Sequence, residues 1–299
     1  MRLKSDLILL LVALIWGSAF AAQRVAADYL GPFLFNGLRF GVAVLVLLPL
    51  ARFRLRIDRR MLPWVVVTGV VLFLASALQQ VGIQWTTAGN AGFITGLYVV
   101  IVPLGLVVIL RQPVGWPTWV AALAATSGTL LLSTGGQLTF NPGDLLELAG
   151  AFAWALHVVL VGWLARRMDV LAFVIGMDIV AGLLNLGLAG FTDGASLPGL
   201  IPAGWAVLYT GIFSIGVGYA LQAVGQKHAP AADAALILSL EAVFAALFGF
   251  IFLGERLAPV QVAGCALILV AILWVQVRLA RVSSVPNHLI QSEDPVEFH

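Results

Sequence analysis

The chain has 299 residues, of which 61% are hydrophobic and only 10% charged, with a formal net charge of +2 and a mean hydropathy of +1.04. A soluble domain of this size carries roughly 25% charged residues to face water, so the composition excludes a water-facing globule and makes lipid the main solvent. Cys265 is the single cysteine, which excludes an internal disulfide, and no basic stripe with interleaved aromatics exists to follow a phosphate backbone, so no nucleic-acid partner is expected.

A membrane-crossing helix needs about 20 consecutive, mostly apolar residues. Read from the N-terminus and broken at Pro, Gly and Arg clusters, the chain predicts five spans over 7–25, 33–51, 63–83, 88–110 and 116–134. Five more follow over 144–164, 170–190, 203–224, 231–253 and 259–279. The first opens like a cleavable signal, with Arg2 and Lys4 ahead of an apolar run and Ala19-Phe20-Ala21 behind it. Its pattern recurs inside the chain around Trp154, where no signal can lie, so it is expected to remain as a spanning helix. The tail 283–299 is polar, carries Glu293, Asp294 and Glu297, and is expected to be disordered. The expected fold class is therefore all-α: a polytopic membrane protein of ten transmembrane helices.

The chain also resembles itself. An offset of about 143 residues sets Gln79-Gln80-Val81-Gly82 over Gln222-Ala223-Val224-Gly225 and carries Ala91, Ile94, Leu97 and Leu110 onto Ala234, Ile237, Leu240 and Leu253. An offset near 138 sets Ala13-Leu14-Ile15-Trp16 over Ala151-Phe152-Ala153-Trp154. Two repeats, 7–134 and 144–279, are expected. Orientation follows from the basic residues. With the N-terminus in the cytoplasm, Arg2, Lys4, Arg52, Arg54, Arg56, Arg59, Arg60, Arg111, Arg166, Arg167, Lys227, Arg278 and Arg281 lie inside, thirteen of the sixteen. Arg24 and Arg256 fall outside and Arg39 within a span, so the positive-inside rule gives N-in, C-in. Five helices per repeat is an odd number, so the second copy enters from the opposite face. Inverted-topology repeats are the signature of secondary transporters with a midplane site exposed alternately to each side.

Charged and polar groups inside lipid are expensive, and each needs a reason. Glu241 lies near the middle of the ninth span, as a carboxylate that meets a substrate ammonium or exchanges a proton, or as a helix–helix hydrogen bond. Tyr98 occupies the corresponding position of the first copy, since the offset carries 98 onto 241. Trp16 and Trp154 form a second midspan pair that the interfacial aromatic belt does not explain; they wall a cavity suited to flat apolar groups and cations, or pack helices. His157 follows Trp154 by three residues on the same face, as a hydrogen-bond donor, a titrating group or a packed side chain. Tyr219 and Gln222 share a face of the eighth span, and Gln79 and Gln80 close the third; these uncharged groups suit a zwitterion or cap helices. Arg39 and Asp178 also correspond, but entering from opposite faces they are expected to miss each other, with Arg39 snorkelling to the outer headgroups.

Leu240-Glu241-Ala242-Val243-Phe244-Ala245-Ala246-Leu247, followed by Phe252-Leu253-Gly254-Glu255-Arg256-Leu257, resembles the ninth-helix signature of the drug/metabolite transporter superfamily, and more narrowly its ten-helix exporters with paired EamA domains. Asn90 to Val100 and Ala13-Leu14-Ile15-Trp16-Gly17-Ser18 fit the same family. The chain departs from it at Ala242, where the family often has Pro, and at Gln112, where the second copy has Glu255. Similarity to the YddG-type amino-acid exporters implies efflux of aromatic and other neutral amino acids across a bacterial inner membrane.

No phosphate-binding Gly-Lys-Ser/Thr loop and no His/Cys/Asp cluster with metal-ligand spacing occurs in the sequence, so neither direct ATP drive, a metal nor another cofactor is expected, and the chain is not expected to be an enzyme. The expected partners are a small-molecule substrate and the lipid bilayer, with a monomer as the working state. Two other functions stay open: a multidrug or lipid flippase of the same fold, and, more remotely, an intramembrane hydrolase using Ser196 and His157.

Overall fold

The computed structural model describes residues 2–109, 111–134, 142–193, 197–254 and 256–283. Leu110, Ser196, Glu255 and the polar tail from residue 284 lie outside them. Among the described residues the structure is all-helical. The helices are α1 (Arg2–Ala26), α2 (Pro32–Leu50), α3 (Leu62–Gly82), α4 (Ala88–Gly96), α5 (Tyr98–Val108), α6 (Trp116–Thr134) and α7 (Pro142–Leu164), then α8 (Val170–Thr192), α9 (Leu200–Tyr209), α10 (Gly218–Gln226), α11 (Ala231–Leu238), α12 (Glu241–Leu253) and α13 (Pro259–Ser283). A π-helical segment, Thr210–Val217, joins α9 to α10. Helix thus occupies each of the ten stretches the sequence marked. Among the described residues, eight of them are long and apolar enough to cross a membrane, and Pro259–Trp274 is a shorter apolar helix.

The outer surface differs from that of a soluble protein. Large apolar side chains face outward, Phe191 90% and Ile201 88% exposed, where acyl chains would cover them. Within an apolar core the interior also holds Asn36, Gln80, Glu147, His157, Asp178, Asn185 and Gln222, each fully buried. Acidic side chains satisfy two of the helix starts. Asp169 caps α8 through Ala172 N at 2.9 Å. The start of α2 has only Gly31 as its cap, and Asp193, from the far end of α8, accepts from Leu34 N at 2.6 Å instead. An anionic oxygen there meets both the unpaired N–H groups and the positive end of the helix dipole.

The helices pack reciprocally. α1 lies on α11 and α12 and on α10, whereas α7 lies on α4 and α5 and on α3; α2 pairs with α8, and α6 with α13. The last pair approaches through glycines: a Cβ on Gly264 would come within 2.3 Å of the Gly128 carbonyl oxygen, and one on Gly128 within 2.6 Å of that of Gly264. Small residues that let backbones touch are the usual means of helix association in lipid.

Two stretches that the sequence reads as continuous helices are broken, and at corresponding places. α4 gives way to α5 at Leu97, and α11 to α12 at Ser239 and Leu240. Leu97 has φ −61° and ψ −15°, Leu240 φ −60° and ψ −15°, and the 143-residue offset carries one onto the other. The preceding residue is small in each case. Gly96 has no side chain, and Ser239 turns its hydroxyl back to the Leu236 carbonyl at 2.8 Å, a bond that bends helices. Tyr98 and Glu241 are the first residues after the two breaks.

Candidate substrate cavity

One cavity, at the middle depth of the bundle, collects side chains from both halves of the chain. α1 contributes Trp16, Phe20 and Gln23, spaced four and three apart on one face. α7 contributes Trp154, His157 and Val158; the π segment and α10 contribute Ser214, Tyr219 and Gln222. Thr95 and Tyr98 flank the first break, Glu241 follows the second, and Arg39 and Gln79 reach in from α2 and α3.

Tyr219 is the centre of the aromatic wall. Its ring lies 5.5 Å from Trp16, 6.5 Å from Trp154 and 5.4 Å from His157, centroid to centroid. Trp154 and His157 meet edge-on at 5.6 Å. Such pairs add about 0.5–1.5 kcal/mol each beyond the area they bury, so this wall is a rigid one. The Trp16 indole N–H donates to the Ser214 carbonyl at 2.9 Å, which fastens α1 to the π segment.

The polar groups behave differently. The Trp154 indole nitrogen, both His157 nitrogens, Glu241 Oε1, both amide atoms of Gln222 and Arg39 Nε are buried without a hydrogen-bond partner. Tyr98 and Glu241 face each other within electrostatic reach, and Tyr219 feels the charges of Arg39, Asp178 and Glu241. Leaving a buried polar group unpaired costs about 1–3 kcal/mol, and native proteins leave few. A concentration of them around one enclosed space is what a site for a polar ligand requires. The space between its walls measures about 460 Å³, open solvent included, and is narrow, with room inside for roughly two waters.

Of the nine residues singled out from the sequence, the cavity brings together Trp16, Gln79, Tyr98, Trp154, His157, Tyr219, Gln222 and Glu241. Gln80 is not in its wall. Adjacent residues on a helix point about 100° apart, and Gln80 donates instead to the Gln23 carbonyl at 3.3 Å while Gln79 meets the Gln23 side chain at 3.2 Å. Arg39 corrects a second expectation. It does not snorkel outward but is 3% exposed, with its guanidinium 5.2 Å from the Phe35 ring and 5.8 Å from Phe40. α2 is buried against α8 and the π segment, so its inner face offers the long side chain the cavity and not the headgroups. Arg39 and Asp178 do miss each other, since no ion pair joins them. Phe20, Gln23, Thr95 and Ser214 were not anticipated. Stepping by four and three from Trp16 would have found the first two.

Comparison with known proteins agrees with this architecture. The model of the EamA-like transporter family matches residues 3–134 and again 141–277. The chain belongs to the EamA-like transporter family. A protein of Archaeoglobus fulgidus described as an uncharacterized transporter is 35% identical over 285 residues, covering 93% of this chain and 87% of that one. The threonine/homoserine exporter RhtA of Escherichia coli is 28% identical over 200 residues, 61% of this chain and 66% of RhtA, and YyaM of Bacillus subtilis, an uncharacterized transporter, is 24% identical over 86% of this chain. A crystal structure 20% identical superposes with a TM-score of 0.79 over 95% of this chain and all of its own, which supports the fold. As an EamA-like transporter the chain is a multi-pass membrane protein that meets a small-molecule substrate and the bilayer. Among the described residues no group of three or more His, Cys, Asp or Glu is placed to hold a metal ion.

Proposed function

We propose that this EamA-like transporter is a secondary exporter of small neutral or zwitterionic organic solutes, amino acids foremost, in the bacterial plasma membrane. The observation that carries this reading is the meeting, in one aromatic-walled cavity, of a buried guanidinium, a buried carboxylate and several unpartnered hydrogen-bonding groups. Glu241 is suited to a substrate ammonium and Arg39 to a carboxylate, while Trp16, Trp154 and Tyr219 surround a side chain. RhtA exports amino acids by its description, which favours the same class here. The basic residues favour N-in, C-in, and the reciprocal packing and the paired breaks favour two inverted five-helix repeats, 7–134 and 144–279, that rock about the cavity. The working unit of this reading is a monomer.

The test is counterflow with purified protein in liposomes across labelled amino acids, polyamines and sugars. Glu241→Gln removes one charge-assisted hydrogen bond, worth about 1.5–3 kcal/mol, so amino-acid affinity is expected to fall roughly 10- to 150-fold. Wild-type affinity in the variant would remove Glu241 from the site, and flux of polyamines or sugars alone would overturn the substrate class.

A second reading, a lipid or multidrug flippase, is favoured by a separate apolar groove on the side of the bundle. Leu14, Ser18 and Val25 of α1, Trp205 and Tyr209 of α9, and Phe248 and Phe252 of α12 line it, and a Ser18–Tyr209 hydroxyl pair at 2.5 Å supplies polarity. Flux of labelled lipid without any soluble solute would select it.

A further inference from the structure

Glu147 is an expensive residue with no role in the cavity described above. It lies on α7 five residues after Pro142, about 7.5 Å from the start of the helix at 1.5 Å per residue, and is fully buried. The Thr95 hydroxyl donates to its Oε2 at 3.3 Å, and its Oε1 has no partner. The backbone closes over it: a Cβ on Gly82 would come within 2.9 Å of Glu147 Cγ and of the Gly143 carbonyl oxygen. Asp144, one turn nearer the helix end on the same face, is buried too and is the charged group within electrostatic reach of Glu147. Among the described residues no Lys or Arg acts on it, and its other neighbours, Thr95 of α4 and the Gly82 backbone of α3, carry no charge.

Thr95 belongs to both places. Its hydroxyl holds Glu147, and it also lines the cavity, three residues before Tyr98, which faces Glu241. Asp144, Glu147, Thr95, Tyr98 and Glu241 thus form a line of oxygen-bearing side chains from one end of the bundle to its centre. In the N-in orientation proposed above, that end is the outer one.

We propose that Glu147 is the proton-carrying group of this transporter, loaded from the outer end past Asp144 and linked to the substrate cavity through Thr95. This rests on the exporter reading and completes it by separating two duties: Glu241 meets the substrate, and Glu147 meets the proton. With the bundle open outward, the Glu147 carboxylate takes a proton from hydronium, leaving a carboxylic acid and water. With it open inward, the acid returns that proton to water, so one proton enters for each solute exported. A neutral acid no longer repels Asp144 and can rotate its O–H onto a new acceptor, which frees Thr95 and lets α4 move against α7.

Glu147→Gln tests this, because the amide keeps the volume and the acceptor for Thr95 but binds no proton. Two measurements are made. In a pH titration of purified protein followed by infrared difference spectroscopy, the wild type is expected to show a carboxylic-acid C=O band that Glu147→Gln lacks; an unchanged band overturns the assignment whatever the substrate is. In liposomes with an internal pH dye, Glu147→Gln is expected to lower the ratio of pH-gradient-driven flux to counterflow at least tenfold and to abolish proton movement on adding threonine. A variant that keeps both refutes the coupling role, as does a wild type that exchanges solute without moving protons. Absence of any solute counterflow in the wild type would sink the exporter reading alone, since the infrared band still decides the proton site. Thr95→Val, which removes the hydroxyl and leaves both carboxylates, is expected to keep the band and weaken the gradient response. It stands in if the glutamine variant fails to reach the membrane.

Discussion

Gly17 offers the most direct measure of how tightly the cavity is held. It sits on α1 beside Trp16, where a Cβ would lie 2.3 Å from Phe244 Cβ, 2.8 Å from the Glu241 carbonyl oxygen and 2.9 Å from Ala245 N. Ordinary contact begins at 3.4 Å, so Gly17→Ala must part α1 and α12 by about 1.1 Å (3.4 less 2.3). Two of the three obstacles are backbone atoms, which cannot rotate away. Overpacking of this kind costs about 1–3 kcal/mol, and a 1 Å displacement is the scale on which positioned groups lose their effect. Since α1 carries Trp16 and α12 carries Glu241, the cavity wall opens along that seam. The control is Gly41→Ala on α2, where an added Cβ meets nothing within 4 Å. Both substitutions gain the same helix propensity, about 1 kcal/mol, so the difference between them isolates packing. In detergent melting, Gly17→Ala is expected to fall below Gly41→Ala by the equivalent of about 1–3 kcal/mol, with solute counterflow down at least tenfold. If the two variants melt and transport alike, α1 and α12 are not held at this separation and the argument fails.

Other outcomes follow from single bonds. Trp16→Phe keeps a ring but removes the donor to the Ser214 carbonyl; a loss of about 0.5–1.5 kcal/mol in melting is expected, and an unchanged melt would mean that α1 is not fastened to the π segment. Asp193→Ala removes the carboxylate at the start of α2 and should cost about 0.5–2 kcal/mol, with Asp193→Asn recovering most of it; equal melting of all three proteins would show that Leu34 N needs no cap.

The helical stretches were legible because lipid leaves a coarse record: long apolar runs cut by Pro, Gly and Arg clusters. The breaks within two of them were not, because Gly96 and Ser239 sit inside long, mostly apolar runs, and neither residue interrupts a helix unless packing asks for it. Most of the cavity could be read from midspan polar and aromatic residues matched across the repeat. Gln80 was misread because two adjacent glutamines cannot face one way. Arg39 was misread because depth alone says nothing of which face of α2 is buried. Glu147 escaped notice because an acidic residue near a helix start suits the dipole anyway, and nothing in the sequence shows that the Gly82 backbone closes over it.

The narrow cavity has a consequence for anyone titrating ligands against this transporter. A space with room for about two waters widens before a larger solute can sit in it, so a measured dissociation constant equals the intrinsic one divided by the fraction of molecules already widened. If that fraction is about one in a hundred, affinities read roughly a hundredfold weak. Substitutions far from any ligand would then tighten or loosen apparent binding simply by tilting the equilibrium between narrow and widened forms. A screen for inhibitors would reward compounds that wedge α1 from α12 over compounds that merely imitate the cargo.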